Sequence, residues 1–295
     1  MTILFPCDPL SPRQVESDFA PEFEAAQKAG FETALLDFDA LTREGNLRRA
    51  LRFVSSDSAS LIYRGWMLKA VDYESLYSTL REQDQELINS PLHYKTCHEI
   101  PEWLSLFEGL TPQTRWLESE AMNDDAICVL LREFQSGPLI VKDFVKSRKH
   151  DWHEACFIPD AAQETAALRV IQRFIELQGE TLNGSLVLRR FVPLEIIGEH
   201  PRSKMPLGRE WRIFVAGAEV FSIPYWGQVE NEAPDLAPFQ SAMAQIPSNF
   251  WTMDLARTQK GDWVVLELGD GQVSGLPDGT NAQQFYKWLY STTKK

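Results

Sequence analysis

Cysteine is scarce and scattered in this 295-residue chain: Cys7, Cys97, Cys128 and Cys156 form no CxxC pair. That spacing excludes a zinc-ribbon motif and a dense disulfide framework, and it fits reduced thiols in a soluble cytoplasmic protein. No run of about 18 apolar residues occurs, so no membrane-spanning helix is expected, and the opening MTILFPCDPLSPR carries no basic leader. Positive charge is in short supply as well. Lys and Arg number 29 against 42 Asp and Glu, a net charge of -13. This balance argues against nucleic acid or an anionic membrane as partner and leaves phosphate binding to a local basic pocket. GxSxG, GxxxxGK and HExxH are all missing, which removes the hydrolase elbow, the P-loop and the zinc-protease helix.

What is present is an ordinary globular composition, 44% hydrophobic with nine Trp and seventeen Phe, long enough for two or three packed modules. The first third alternates apolar strands (TILFP, FETALLD, LIYRGW) with amphipathic helices through Phe19 to Ala29 and Tyr73 to Asp84. That order predicts a small α/β layer with a mainly parallel sheet. A broken helical pattern over 91–107 leads to a boundary near Glu108 to Thr111. Strand TRWLE, helix DAICVLLREF, strand PLIVKDFV and a helix from Ala161 to Gln178 then predict a second α/β unit. Two hairpins follow. One turns at AGAE in REWRIFVAGAEVFSIP, the other at Gln259, Lys260 and Gly261 in FWTMDLARTQKGDWVVLELG, so an antiparallel sheet is expected before a C-terminal helix from Asn281 to Tyr290.

Chemistry concentrates in three places. On the second hairpin, Asp254 and Glu267 stand thirteen positions apart on opposite strands, with Gly269, Asp270 and Gly271 after them. Carboxylates gathered on one face repel unless a cation neutralises them, and hard oxygen ligands suit Mg²⁺; a solvated strand face is the alternative. Lys142 lies inside the apolar strand PLIVKDFV, with Lys146, Arg148, Lys149 and His150 just beyond it. A lysine there either snorkels to solvent or meets an anion such as a triphosphate. In LRRFVPLE, Arg189 and Arg190 point to opposite strand faces, so only one of them can serve a given pocket, whereas Glu210 and Arg212 share a face.

In order, Lys142, the strand LRRFVPLE, the E-x-R of REWRIFVAG and the segment MDLARTQKGDWVVLELGDG resemble the motifs of the ATP-grasp superfamily. They are similar to those of its D-alanine ligase and glutamate-adding ligase members. The final third looks closer still to the bacterial and phage clade marked by two conserved arginines and a lysine. The resemblance spans Thr111 to Leu289, and YRGWML and LINSPLHYKTCHEIPEWLSLF look like that clade's N-terminal region. It implies an α/β (α+β) ATP-grasp fold. An N-terminal pre-ATP-grasp domain would cover 1–110 and an ATP-grasp domain 111–295, the latter made of α+β subdomains 111–182 and 183–295 that clasp the nucleotide. It further implies an ADP-forming, ATP- and Mg²⁺-dependent ligase that joins a carboxylate to an amine through an acyl phosphate. In that scheme Lys142 and Arg212 are catalytic. Lys142, Lys146, Arg189, Arg190, Phe191, Val192, Glu195 and Glu210 bind the nucleotide, with the strand from Arg190 to Leu194 along the adenine. Asp254, Glu267 and Asp270 hold the metal. There are two departures from the pattern: Arg189 and Arg190 stand where the hinge strand usually carries an acid, and Gly269 stands where the metal motif usually has Asn. Asp270 is the candidate substitute, although a one-residue shift reverses the strand face unless the backbone turns.

The other features read as structure. His150 and His153 in HDWHEA are three apart, and His93, Cys97 and His98 have apolar neighbours, so both groups read as packing or surface. Trp66, Trp103 and Trp116 read as core, and Arg64 as either a cleft or a surface residue. Two functions compete: the ligase, with small-molecule, peptide or protein acid and amine substrates, and a nucleotide-binding sensor or assembly module that has lost ligation. Oligomeric state and substrate identity are open.

Overall fold

In the computed structural model, which describes residues 1–54, 59–199, 206–226 and 233–293, the N-terminal apolar runs become parallel strands. Thr2–Pro6 lies between Glu32–Leu36 and Ser60–Tyr63, and Ser60–Tyr63 pairs on its other side with Glu86–Leu87. Every residue of Thr2–Pro6 is buried, as expected of a central parallel strand covered on both faces. Helix Ala20–Ala29 ends where Gly30 takes a left-handed φ of 101°, a conformation that suits glycine.

These strands belong to a unit formed by Met1–Cys97, Arg209–Leu255 and Glu267–Lys295. A second sheet, of which residues 210–224, 250–255 and 267–270 lie in this unit, has the order Glu219–Pro224, Glu210–Ala216, Phe250–Arg257, Trp263–Asp270. The first hairpin turns at Gly217, as AGAE predicts, with Arg212 opposite Ile223. Ile3, Phe5 and Ile62 share one fully buried core with Phe214, Phe250, Phe285 and Leu289. That core ties the parallel strands, the hairpins and the C-terminal helix Ala282–Thr293 together, at roughly 1.5–3 kcal/mol per large side chain removed from water.

Arg64 proves to be neither a cleft residue nor a surface one. It is 1% exposed, pairs with Glu22 at 2.6 Å and donates to the carbonyls of Gly271 and Ser274 at 2.7 and 2.8 Å. Burial opposes its charge, but Glu22 and Tyr286 more than answer it and raise its pKa. Trp66 is also displaced from expectation: it is 41% exposed, with its indole N–H donating to Glu16. Trp103 is fully buried, in keeping with a core residue.

The other unit comprises His98–Gly208 and Ala256–Leu266, so both units draw on sequence from either side of residue 110. Its antiparallel sheet runs Thr114–Glu118, Ser185–Arg190, Leu139–Lys142, Phe157–Ile158. Helix Asp124–Arg132 starts where the Asn123 side chain accepts from Ala126 N. Ile127, Leu130 and Leu131 from this helix meet Ala167, Ile171 and Phe174 of helix Glu164–Gln178 in one core with Val141 and Leu188. The strand read as PLIVKDFV stops at Lys142, because Asp143 turns the chain. A short ribbon, Ile196–Glu199 with Pro206–Gly208, had no clear alternation to reveal it. Among the described residues no helix is long and apolar enough to cross a membrane.

Candidate functional site

In the unit holding the antiparallel four-stranded sheet, the residue that shapes the basic segment is Asp143. Its fully buried carboxylate accepts from Val145 N at 2.7 Å, Gln178 Nε2 at 2.9 Å and Asn183 N at 3.3 Å, and also from Lys146 N. An anion satisfied by backbone N–H groups fixes a tight turn, and Lys142 and Ser147 bridge across it. Lys142 is 8% exposed at the strand end, and Lys146 projects into solvent. Burial pushes the Cys156 thiol up to about 11 while Lys149 and Lys142 pull it down, so both ammonium groups lie near that sulfur. Lys149, left out of the nucleotide set expected from the sequence, is an exposed second positive charge acting on Cys156. Arg148 is used structurally, paired with Asp151 at 2.8 Å and bonded to Leu177 O.

Both hinge arginines are engaged within the same unit. Arg189 is 6% exposed and donates to Thr111 Oγ1 at 2.6 Å and Val265 O at 2.8 Å. Arg190 turns the opposite way and donates to Ser136 O and Phe134 O at 2.5 and 2.7 Å, with its guanidinium over the Phe134 ring. Phe191 joins an aromatic group with Trp152 and Phe157. Val192 and Glu195 are half-buried, and Glu195 pairs with Arg257 at 3.4 Å.

In the other unit, alternation along Glu210–Ala216 buries Trp211 and Ile213 and leaves Glu210 and Arg212 on the opposite, half-buried face. Glu210 accepts from the Trp226 indole at 3.4 Å. Arg212 forms a fork on Asp254, Nε to Oδ1 at 2.8 Å and Nη2 to Oδ2 at 2.7 Å. Its Nη1 donates to Gly275 O at 2.8 Å, and Tyr225 stacks 4.9 Å away. Burial works against the Arg212 charge, yet Asp254, then Tyr225 and Glu267, raise its pKa above the usual arginine value. Glu267 is thus near the same guanidinium. Register agrees: Gly271 N donates to Phe250 O, and a Cβ on Gly269 would stand 2.8 Å from Thr252 Oγ1. Continuing that two-residue step along antiparallel strands sets Glu267 opposite Asp254, on one face.

Asp270 stands apart from that pair. It is fully buried and accepts from Asn89 Nδ2 at 2.6 Å, Gln272 N at 2.9 Å and Gln272 Nε2 at 3.1 Å. Burial pushes its carboxyl up to about 6, against the lowering influence of those donors and Arg64. The strand does not turn at Gly269 to bring Asp270 round, so Asp270 is bound into the core polar network, on the face opposite to Asp254 and Glu267. Among the described residues no three His, Cys, Asp or Glu side chains gather as a metal-holding group. His150 and His153 are included in that statement. Burial also raises the Cys97 thiol well above its ordinary value, with Asp270 adding to the effect, so neither Cys97 nor Cys156 is an activated nucleophile.

A family model for the ATP-grasp domain, family 3 of the clade marked by two arginines and a lysine, matches residues 131–289, more than half of the chain. The chain belongs to this ATP-grasp family. No curated protein matches it by sequence. Its fold is similar over its whole length to the RimK domain ATP-grasp protein from Sphaerobacter thermophilus, at 15% identity and TM-score 0.60, covering 100% of both chains. It is likewise similar to the D-alanine-D-alanine ligase from Coxiella burnetii, at 11% identity and TM-score 0.58, covering 100% of this chain and 96% of that one. The ATP-grasp ligase PsnB, solved with a minimal precursor, Mg and ADP, matches at 13% identity and TM-score 0.55, covering 99% and 98%. The α/β ATP-grasp fold expected from the sequence is therefore the fold of this chain. Its donors also fit magnesium in kind: Asp254 and Glu267 share a face, and the Arg212 guanidinium already occupies the role of a neutralising cation on Asp254.

Proposed function

We propose that this ATP-grasp protein is an ADP-forming ligase that uses ATP and Mg²⁺ to join a carboxylate to an amine. The observation that carries the reading is the grouping of Arg212, Asp254 and Glu267 in a member of this family. Two carboxylates and one guanidinium leave a net negative charge, which invites a divalent cation without binding it as tightly as three acids would. Magnesium, when bound there, supplies charge neutralisation at the phosphate oxygens.

On this reading Lys142, with Lys146 and Lys149, neutralises the nucleotide phosphates, and the segment after strand Ser185–Arg190 offers Phe191 and Val192 to the base. Arg189, Glu195 and Glu210 support the nucleotide side. A substrate carboxylate oxygen attacks the γ-phosphorus, the bond to the ADP oxygen breaks, and an acyl phosphate forms. The amine then attacks the carbonyl carbon, phosphate leaves and the amine proton is lost. Arg212 answers the charge that builds on the transferring phosphoryl group, a role that needs position and charge and no protein nucleophile. Substrates are the acid and amine of a small molecule, a peptide or a protein terminus, and we place the reaction in the cytoplasm. PsnB, solved with a precursor peptide and AMPPNP, and the D-cycloserine synthetase DcsG span that range of substrate size.

A nucleotide-binding module without ligation is the second reading. It is favoured by Gly269 in the metal motif and by hinge arginines committed to Thr111, Val265, Ser136 and Phe134. A screen of amino acids and peptides for stimulated ADP release, with mass detection of product, separates the two. The ligase reading expects ADP and amide in equal amounts. Tight Mg-ATP binding with no ADP from any acceptor pair supports the module.

A further inference from the structure

A magnesium ion takes six oxygens, and this face offers two carboxylates. One of them, Asp254, already gives an acceptor position on each oxygen to Arg212. Two residues before Asp254 on the same face is Thr252, and two residues after Glu267 is Gly269. The space in front of Gly269 is filled: a Cβ there would stand 2.6 Å from Ser274 Oγ and 2.8 Å from Thr252 Oγ1. The two hydroxyls are themselves 2.7 Å apart.

Ser274 Oγ donates to Asp270 O at 2.8 Å, so the proton between the hydroxyls comes from Thr252, whose Oγ1 has both Ser274 Oγ at 2.7 Å and Gly269 O at 3.3 Å as acceptors. Two hydroxyls carry two protons and four lone pairs; with both protons placed and one lone pair used, three acceptor positions are left. Such uncharged hard oxygens are what magnesium and its bound water take up. The loop bearing Ser274 is also held in place. Arg64 grips Ser274 O, and Arg212 binds Gly275 O with the guanidinium that binds Asp254. One guanidinium thus holds both the Asp254 carboxylate and the residue that follows Ser274.

We infer that the Thr252 and Ser274 hydroxyls supply the oxygen contact to the magnesium shell that a side chain at position 269 would otherwise give. This rests on the ligase reading's metal face. The test is Mn²⁺ binding, followed by electron paramagnetic resonance in the presence of AMPPNP, with AMPPNP binding in EDTA measured alongside by calorimetry. Thr252→Ala/Ser274→Ala should weaken Mn²⁺ binding about tenfold, the scale of a lost metal-supporting contact, and leave metal-free nucleotide binding unchanged. Thr252→Ser alone keeps the hydroxyl and should bind Mn²⁺ as the wild type does, and the metal-free nucleotide binding of the double variant controls for loss of fold.

The decisive variant adds Gly269→Asn to the double alanine background. With both hydroxyls gone, the next atom near the new Cβ is Ser274 Cβ at 4.0 Å, so the Cβ is accommodated and Mn²⁺ affinity should recover. Gly269→Asn in the wild-type background meets both hydroxyls and should lower the melting temperature. Unchanged Mn²⁺ affinity in the double variant, or no recovery in the triple, overturns the assignment while the ligase reading stands. A wild type that takes up no Mn²⁺ with nucleotide overturns both.

Discussion

The fork between Arg212 and Asp254 gives the clearest energetic forecast. Their side chains are 15% and 11% exposed, so removing one partner strands a largely desolvated charge, at a typical cost of about 3–5 kcal/mol. Asp254→Asn belongs at the low end, about 3 kcal/mol, because Gly275 O, the Tyr225 ring and Glu267 still attend the guanidinium. Arg212→Met creates the converse problem, two facing carboxylates without a counter-ion, at a similar cost. The variants should differ in their response to metal. Millimolar Mg²⁺ should restore much of the stability of Arg212→Met, since the ion takes over the arginine's role, and should do little for Asp254→Asn. Urea denaturation with and without Mg²⁺, completed by the double variant, should give a coupling energy of about 2 kcal/mol, within the span for contacting residues. Additive losses, coupling below about 0.5 kcal/mol and an equal Mg²⁺ response in all variants would refute the reasoning.

Lys142→Ala should weaken ATP binding in EDTA roughly tenfold or more, as expected for a lost hydrogen bond to a charged phosphate, with the near-ultraviolet circular dichroism of the wild type; unchanged affinity would count against the phosphate role. Asp270→Asn bears on stability instead. The folded carboxyl sits at about 6, above its ordinary 3.8, so Asp270 favours the folded state most below pH 4 and loses that contribution as pH rises through 6. The wild type should therefore fall relative to Asp270→Asn by up to about 3 kcal/mol between pH 4 and 7, and parallel urea midpoints across that range would sink the idea.

Local patterns in the sequence were enough for the longer strands and helices and the turns at Gly217 and Gly261, because alternation, turn glycines and apolar runs are short-range signals, whereas the apolar run put Lys142 inside a strand that the buried Asp143 ends. Pairings set by the sheet order were not legible. Asp254 and Arg212 are 42 residues apart and meet only because Glu210–Ala216 lies beside Phe250–Arg257. Arg64 ended an apolar strand and suggested a cleft, yet its partners are Glu22, 42 residues upstream, and carbonyls more than 200 residues downstream. Asp270 was the substitute closest in sequence for a missing ligand, and strand alternation sends it into the core. The hydroxyls that fill the space at Gly269 come from across the hairpin and from the loop beyond it, where no motif spacing points.

The central claim is that a carboxylate is activated as an acyl phosphate, and hydroxylamine tests it without knowledge of the natural amine. The protein is incubated with Mg-ATP, a panel of amino acids and peptides, and hydroxylamine, and the products are read by mass spectrometry. The account predicts a hydroxamate of at least one acid, formed one-for-one with ADP and reduced at least about a hundredfold in Glu267→Gln, the scale of a lost electrostatic contact to a transition state. Mg-ATP binding with no hydroxamate from any acid, or hydroxamate formed with AMP in place of ADP, would contradict it.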